Sequence, residues 1–333
     1  MKAAFKKGRS IVVKDIPSRA LAPDQIRVRV RACGICGTDL HDNPAEAEKE
    51  QLFGHEIAGD ILEVGSAVLG LKTGQKVVLE SATPCGRCDA CRNTRQELCT
   101  DIQSFFFTGS FGFAEEVIVP AICAIPCDDL PPDVACLSEP FGVAIDLVRL
   151  ADITPMSNVL LLGPGPIGLM ALALIRRMGP RRVFLSAFAR EKARVEAAHR
   201  IGVDRIIDPS QTPLDKVDFG CAIDRVLVTT PPPTLNDAFN VACKGGIVSF
   251  IGIGHGDNAF CKFDANAFHF KKLQLRASFA SPALYTPMAL QYLREGVVNG
   301  PAMISHHFPL DRMAEAMTTA RDTAVSLKVI VRP

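Results

Sequence analysis

Tryptophan is absent from this chain, and only Tyr285 and Tyr292 represent tyrosine in 333 residues. Two common hydrogen-bonding aromatics are therefore nearly missing, and the 19 phenylalanines must supply the aromatic packing. An excess of one charge is also lacking. A net charge of +1 gives no reason to expect nucleic acid or a membrane surface as partner. Long apolar runs are missing too: Val159-Leu-Leu-Leu is cut off by Gly163 and Pro164, far below the roughly 20 residues a spanning helix needs. The start, Met1-Lys-Ala-Ala-Phe-Lys-Lys, has charge but no apolar core of signal-peptide length, so the chain is expected to be cytoplasmic. No internal repeat and no low-complexity tract appears.

What is present is length for two ordinary domains and an unusual set of 12 cysteines. In a small secreted protein that number would suggest disulfides; in a large chain without an export signal, metal binding or plain burial fits better. Cys33, Cys123, Cys127, Cys136, Cys221, Cys243 and Cys261 lie outside any metal-like run and are expected to be buried small hydrophobes.

The first third reads as short strands separated by Gly and Pro. Gln25-Ile-Arg-Val-Arg-Val-Arg alternates apolar and charged residues, and Ile57–Gly65, Gln75–Glu80 and Glu115–Pro120 behave similarly. From about residue 155 the character changes. Asn158-Val-Leu-Leu-Leu is a continuous apolar run, as in a parallel strand covered on both faces. Helices over Ile167–Met178, Arg190–Ile201 and Leu235–Cys243 then alternate with strands at Arg182–Ser186, Arg205–Asp208, Arg225–Thr229 and Gly246–Gly254. That alternation predicts a doubly wound parallel sheet, an α/β fold. After about residue 277, two helices and a last strand at Ser326–Val331 do not amount to a third domain. The reading is a discontinuous β-rich domain over 1–142 and 277–333, with a cysteine excursion at about 81–102, and a coenzyme domain over 143–276.

Three motifs carry chemistry. Cys85, Cys88, Cys91 and Cys99 form a C-x2-C-x2-C-x7-C run that can close a tetrahedral thiolate cage around zinc. With all four positions filled by protein, such an ion is structural. A second set, Cys36, Thr38, Asp39, His41, His55 and Glu56, offers ligands for a metal that does chemistry. A catalytic zinc takes about three protein ligands and keeps one position open. Cys36 and His55 supply two, and the third is open between Glu56 and Glu139. The third motif is Gly163-Pro-Gly165-Pro166-Ile167-Gly168, which follows an apolar strand, opens a helix and can seat a dinucleotide pyrophosphate. An acid about 20 residues further on ordinarily receives the ribose hydroxyls of NAD. Here Ala187 stands 19 residues after Gly168, and no acid follows until Glu191. Ser186 and Arg190 could receive a 2′-phosphate instead, which favours NADP over NAD.

On Cys36-Gly-Thr-Asp-Leu-His41, Gly54-His-Glu56, the cysteine run, Leu137-Ser-Glu-Pro140 and the glycine turn, the chain resembles the medium-chain zinc-dependent alcohol dehydrogenase family, in particular its sorbitol, threonine and sugar dehydrogenase branch. The resemblance runs essentially end to end. It implies a GroES-like catalytic domain, a Rossmann coenzyme domain, two zinc ions per chain, and dimers or tetramers formed through the coenzyme domains. Residue by residue it implies Cys36 and His55 as catalytic-zinc ligands and Glu139 as the third, direct or through water. Glu56 matches a carboxylate that approaches the metal during ligand exchange. Asp39 matches a carboxylate orienting His55, and Thr38 and His41 match the hydroxyl and imidazole of a proton relay. The acidic stretch after His41 (Glu46, Glu48, Glu50) departs from the pattern, so the substrate rim does not carry over.

The expected reaction is reversible oxidation of a secondary alcohol in a polyol, sugar or related small molecule. Two competitors use the same scaffold: a zinc-free quinone or enoyl reductase, and a non-catalytic nicotinamide-binding protein. Phe105–Phe107 and Phe111–Phe113 could line a pocket or fill the β core with equal ease.

Overall fold

The computed structural model describes residues 1–41 and 48–333; Glu46 of the acidic stretch lies outside them. The chain divides into two compact units, one of Met1–Gly142, Ala280–Asp322 and Lys328–Pro333, the other of Val143–Phe279 and Thr323–Leu327.

The first unit is built on a seven-stranded sheet. Its path runs Ile304–Pro309, Lys328–Arg332, Gln25–Gly34, Glu56–Val64, Lys76–Leu79 and Ala124–Pro126, with Glu116–Pro120 also paired to Gln25–Gly34. The alternation read in Gln25–Gly34 places Ile26, Val28 and Val30 in the core and turns the arginines outward. Antiparallel register sets Gly34 opposite Glu56 on one side and opposite Ile330 on the other. The C-terminal strand thereby brings Lys328 to residues near the start of the chain. A smaller sheet joins Ser10–Asp15, Lys2–Lys7 and Gln51–Leu52. The core of this unit gathers Ile57, Ile61, Phe105, Phe113, Met313, Met317 and Val331 from distant parts of the sequence.

The second unit holds a six-stranded, wholly parallel sheet in the order Arg205–Ile207, Arg182–Ser186, Asn158–Leu162, Ile223–Val228, Ala242–Phe250, Gln274–Ala277. Counted from its first strand this is 3-2-1-4-5-6, the doubly wound order whose reversal point offers a ligand crevice. Asn158–Leu162 sits at that point and is buried along its whole length.

Several elements differ from the sequence reading. The second helix of this unit starts at Lys192 rather than Arg190, because the Glu191 carboxylate accepts the Phe188 N–H and closes a turn first. The strand expected over Gly246–Gly254 spans Ala242–Phe250; Gly252 lies outside it, where a Cβ would overlap the Thr230 carbonyl. Gln274–Ala277 went unread because it is short and mostly exposed. Among the described residues no helix is long and apolar enough to cross a membrane.

Candidate metal centres and cofactor cavity

Cys36 caps the short helix Gly37–Leu40, and its backbone N–H donates to Asp39 Oδ2 at 2.9 Å. That bond satisfies a donor the helix start would otherwise leave unpaired and buries Asp39 beneath the turn. Thr38 stands exposed on the same turn, and its carbonyl accepts the His41 N–H. Across from this turn stand His55 and the first residue of the strand Glu56–Val64, and ligand atoms of Cys36, His55 and Glu56 come within 4.8 Å of one another. Glu139, in the first turn of the helix Ser138–Leu150, is not part of this trio.

Glu56 is completely buried. Its Oε1 accepts from the buried Lys328 ammonium, which also donates to the Ile35 carbonyl at 2.8 Å. Its Oε2 is buried with no hydrogen-bond partner, although such an oxygen ordinarily finds one. Gly34 is required here, because a Cβ at that position would overlap Glu56 Oε2.

The electrostatics point the same way. Burial pulls the His55 imidazole down, but the charge and hydrogen bond of Cys36, with Glu139 and Asp39, outweigh it and hold the ring well above its ordinary value. Burial pushes Glu139 up to about 7, with His55 opposing and Glu56 adding to the rise. Burial likewise raises Asp39. Sulfur, imidazole and carboxylate packed this closely form a donor set suited to a cation, and one Glu56 oxygen has no hydrogen-bond partner to compete for it. The residues fit a divalent metal with mixed ligands.

The four-cysteine run also converges: one sulfur from each of Cys85, Cys88, Cys91 and Cys99 lies within 4.8 Å of the others. Backbone N–H groups point at the sulfurs, Cys85 N at 3.3 Å from Cys99 Sγ and Cys88 N at 3.3 Å from Cys85 Sγ. Backbone donors at Cys91 and Thr100 draw the Cys88 thiol down to about 6, while burial and the adjoining sulfurs push Cys91 up to about 12. Four sulfurs so placed cannot all ionise without a cation among them, which fits a thiolate-bound zinc. Paired backbone bonds between Thr83 and Gln103 close the base of the excursion. Of the other cysteines, Cys33, Cys123, Cys127 and Cys136 are buried as expected, whereas Cys221, Cys243 and Cys261 are only half-buried.

In the second unit a cavity of about 450 Å³ opens at the glycine turn, lined by Gly163, Pro164, Gly165, Ser186, Ala187 and Arg190 among others. Gly163 has φ +101°, a conformation that favours glycine. A Cβ at Gly168 would overlap the Gly163 carbonyl, while Gly165 faces open space. Pro166 and Ile167 begin the helix Pro166–Met178, where proline suits the first position. Ser186 and Ala187 are buried at the end of the second strand. Arg190 lies over the Phe188 ring, 4.0 Å from its centroid. Sequence reasoning missed the pair behind it: Glu191, also on the cavity wall, is held by the Phe188 N–H at 3.1 Å and by Arg194 at 3.3 Å. An i, i+3 spacing within one helical turn was the available signal.

Phe105 and Phe113 are core, while Phe106 is 40% exposed, stacks on Phe111 and meets the His55 ring edge-on at 6.4 Å.

Residues 22–129 match the alcohol dehydrogenase GroES-like domain, and residues 166–294 match the zinc-binding dehydrogenase family. The sorbitol dehydrogenase of Bacillus subtilis (strain 168) is 30% identical over 352 residues, an alignment covering 100% of this chain and 97% of that enzyme. A Sinorhizobium meliloti 1021 protein described as a zinc-binding dehydrogenase and solved with NADP is 28% identical, with a TM-score of 0.87 over 100% of this chain and 99% of that one. An Escherichia coli CFT073 alcohol dehydrogenase solved with NADH is 25% identical, with the same TM-score and coverage. Both domain families occur in order along a chain similar to such enzymes over nearly its full length, and the protein therefore belongs to the medium-chain zinc-dependent alcohol dehydrogenase family.

Proposed function

We propose that this enzyme interconverts a secondary alcohol of a polyol, sugar or related compound and its ketone, using a nicotinamide cofactor. The observation that carries the reading is the convergence of Cys36, His55 and the buried Glu56, one carboxylate oxygen of which has no hydrogen-bond partner. Cys36 and His55 would hold a catalytic zinc. Glu139 would complete it directly or through water, because Lys328 already offsets the charge of Glu56. Cys85, Cys88, Cys91 and Cys99 would hold a second, structural zinc. A zinc held there would supply the Lewis acidity that makes a substrate hydroxyl acidic at neutral pH, and a nicotinamide cofactor would supply the hydride acceptor.

The chain's own groups do the rest. Asp39 fixes the turn that carries Cys36 and orients His55. The exposed Thr38 hydroxyl accepts the substrate proton and passes it toward His41 and solvent. Phe106 gives the site an apolar wall beside His55. In the cavity of the second unit, Gly163, Gly165 and the helix start receive the pyrophosphate. Ser186 and Arg190 receive a 2′-phosphate, with Ala187 leaving room and Glu191 held by Arg194. NADP is favoured on these residues, and the relative solved with NADP is in keeping with that.

Two further expectations belong to this reading. Twelve cysteines without a disulfide among them suit the reducing cytoplasm. A second copy of the chain, in a dimer or tetramer, suits the edge strand Gln274–Ala277, since Phe260, Phe270 and Phe279 in the same unit are 73–75% exposed.

The deciding experiment replaces Cys36 with Ser and measures turnover, cofactor affinity and zinc content together. Turnover should fall by at least about a thousandfold with cofactor affinity retained and one of two zincs lost. Full activity in this variant would favour a zinc-free reductase.

A further inference from the structure

We propose that Lys6 is a positioning residue for the proton relay, fixing the backbone that carries Thr38, Asp39 and His41. The inference rests on the proposed role of His41 and adds a group outside both the metal trio and the cofactor cavity.

Lys6 is 2% exposed, an uncommon place for an ammonium. Its Nζ donates to the Asp39 carbonyl at 2.8 Å and to the His41 carbonyl at 3.2 Å. The helix Gly37–Leu40 has only four residues, so its closing carbonyls lack partners within the helix. A cation at a helix C-terminus supplies those partners and complements the backbone dipoles. The base of the lysine is itself held: Lys2–Lys7 pairs with Ser10–Asp15 along its whole length and with Gln51–Leu52 through Phe5 and Lys6. At the other end of the turn, Asp39 grips the Cys36 N–H. One short segment is thus pinned at both ends, by a carboxylate beside a metal-ligand candidate and by an ammonium on the backbone carbonyls of Asp39 and His41. Arg321 adds a bond to the Leu40 carbonyl at 3.3 Å. Lys6 is too buried to exchange protons with substrate, so it acts through the geometry of this segment. A relay depends on hydrogen-bond reach, and small displacements lengthen it.

The test is a double-mutant cycle on the zinc-loaded, full-length enzyme, with Lys6→Met and His41→Gln separately and together. Lys6→Met should lower kcat about tenfold and leave KM for alcohol within about threefold, with two zincs retained. In the His41→Gln background the same replacement should change kcat by less than about twofold, because the group it positions is gone. Added imidazole should restore part of kcat in Lys6→Met. An equal loss in both backgrounds, an unchanged kcat, or a loss that tracks departing zinc would overturn the proposal. If His41→Gln alone leaves kcat unchanged, the relay itself fails, and this inference with it. Should Lys6→Met not fold, Lys6→Gln keeps a neutral amide donor group and is read by the same criteria.

Discussion

The Glu56–Lys328 pair shows how single residues shape this protein, because both are buried and each makes the other tolerable. A buried ion pair adds little over an apolar pair of equal volume, but losing one partner strands a charge. Lys328→Met should therefore cost about 3–5 kcal/mol of stability, while the double variant with Glu56→Gln should recover much of it. Denaturant unfolding of the three proteins measures this. Glu80 gives a pH-dependent counterpart. It is buried, accepts from Thr83 Oγ1 at 2.8 Å, and burial raises its pKa against the hydrogen bonds of Thr286 and Thr83. A carboxyl raised in the folded state binds its proton more tightly there than when unfolded. Its contribution to stability is present below the ordinary glutamate pKa and is lost as pH rises through the folded value. Glu80→Gln should accordingly match the parent protein in acid and melt at a higher temperature above neutrality. Thermal melts across that range check it, and a uniform offset at every pH would point to packing instead.

Among elements, the strand–turn–helix from Asn158 to Met178 and the turn after Arg182–Ser186 were both legible, since each combines an apolar strand with a fixed terminator. On the proposed reading, the second of these sets the choice between NADP and NAD. An aspartate at 187 would place a carboxylate at the strand end, against a 2′-phosphate and in favour of ribose hydroxyls. Ala187→Asp should lower kcat/KM for NADP by roughly 10–100-fold, about 1.4–2.8 kcal/mol, and raise the relative preference for NAD. Steady-state kinetics with both cofactors decide it. The Glu191–Arg194 pair was not legible as a pair, because two opposite charges one turn apart are more often solvated than buried.

For the whole molecule, the path of the chain matters more than its composition. Residues 280–322 and 328–333 return to the first unit, so Lys328 is hydrogen-bonded to a residue 272 positions earlier. In the second unit, Gln274–Ala277 ends the sheet as an edge strand. Unpaired edges promote association, and exposed phenylalanines nearby strengthen the tendency. Phe270→Asp combined with Phe279→Asp should shift the proposed dimer or tetramer toward the monomer in sedimentation velocity, with zinc content unchanged. An unaltered oligomer would place the interface elsewhere.

The sequence alone determined the elements and motifs whose causes are local. Period-two alternation marks Gln25–Gly34, a glycine turn follows an apolar strand, and four cysteines lie close enough along the chain to surround one ion. Only the tertiary structure decided that Glu56 comes close to Cys36 and His55, that Lys328 shares its charge, and that Lys6 is hydrogen-bonded to the His41 carbonyl. Those contacts depend on strand register between segments far apart in the chain, and register is set by the packing of a complete core rather than by any short run of residues.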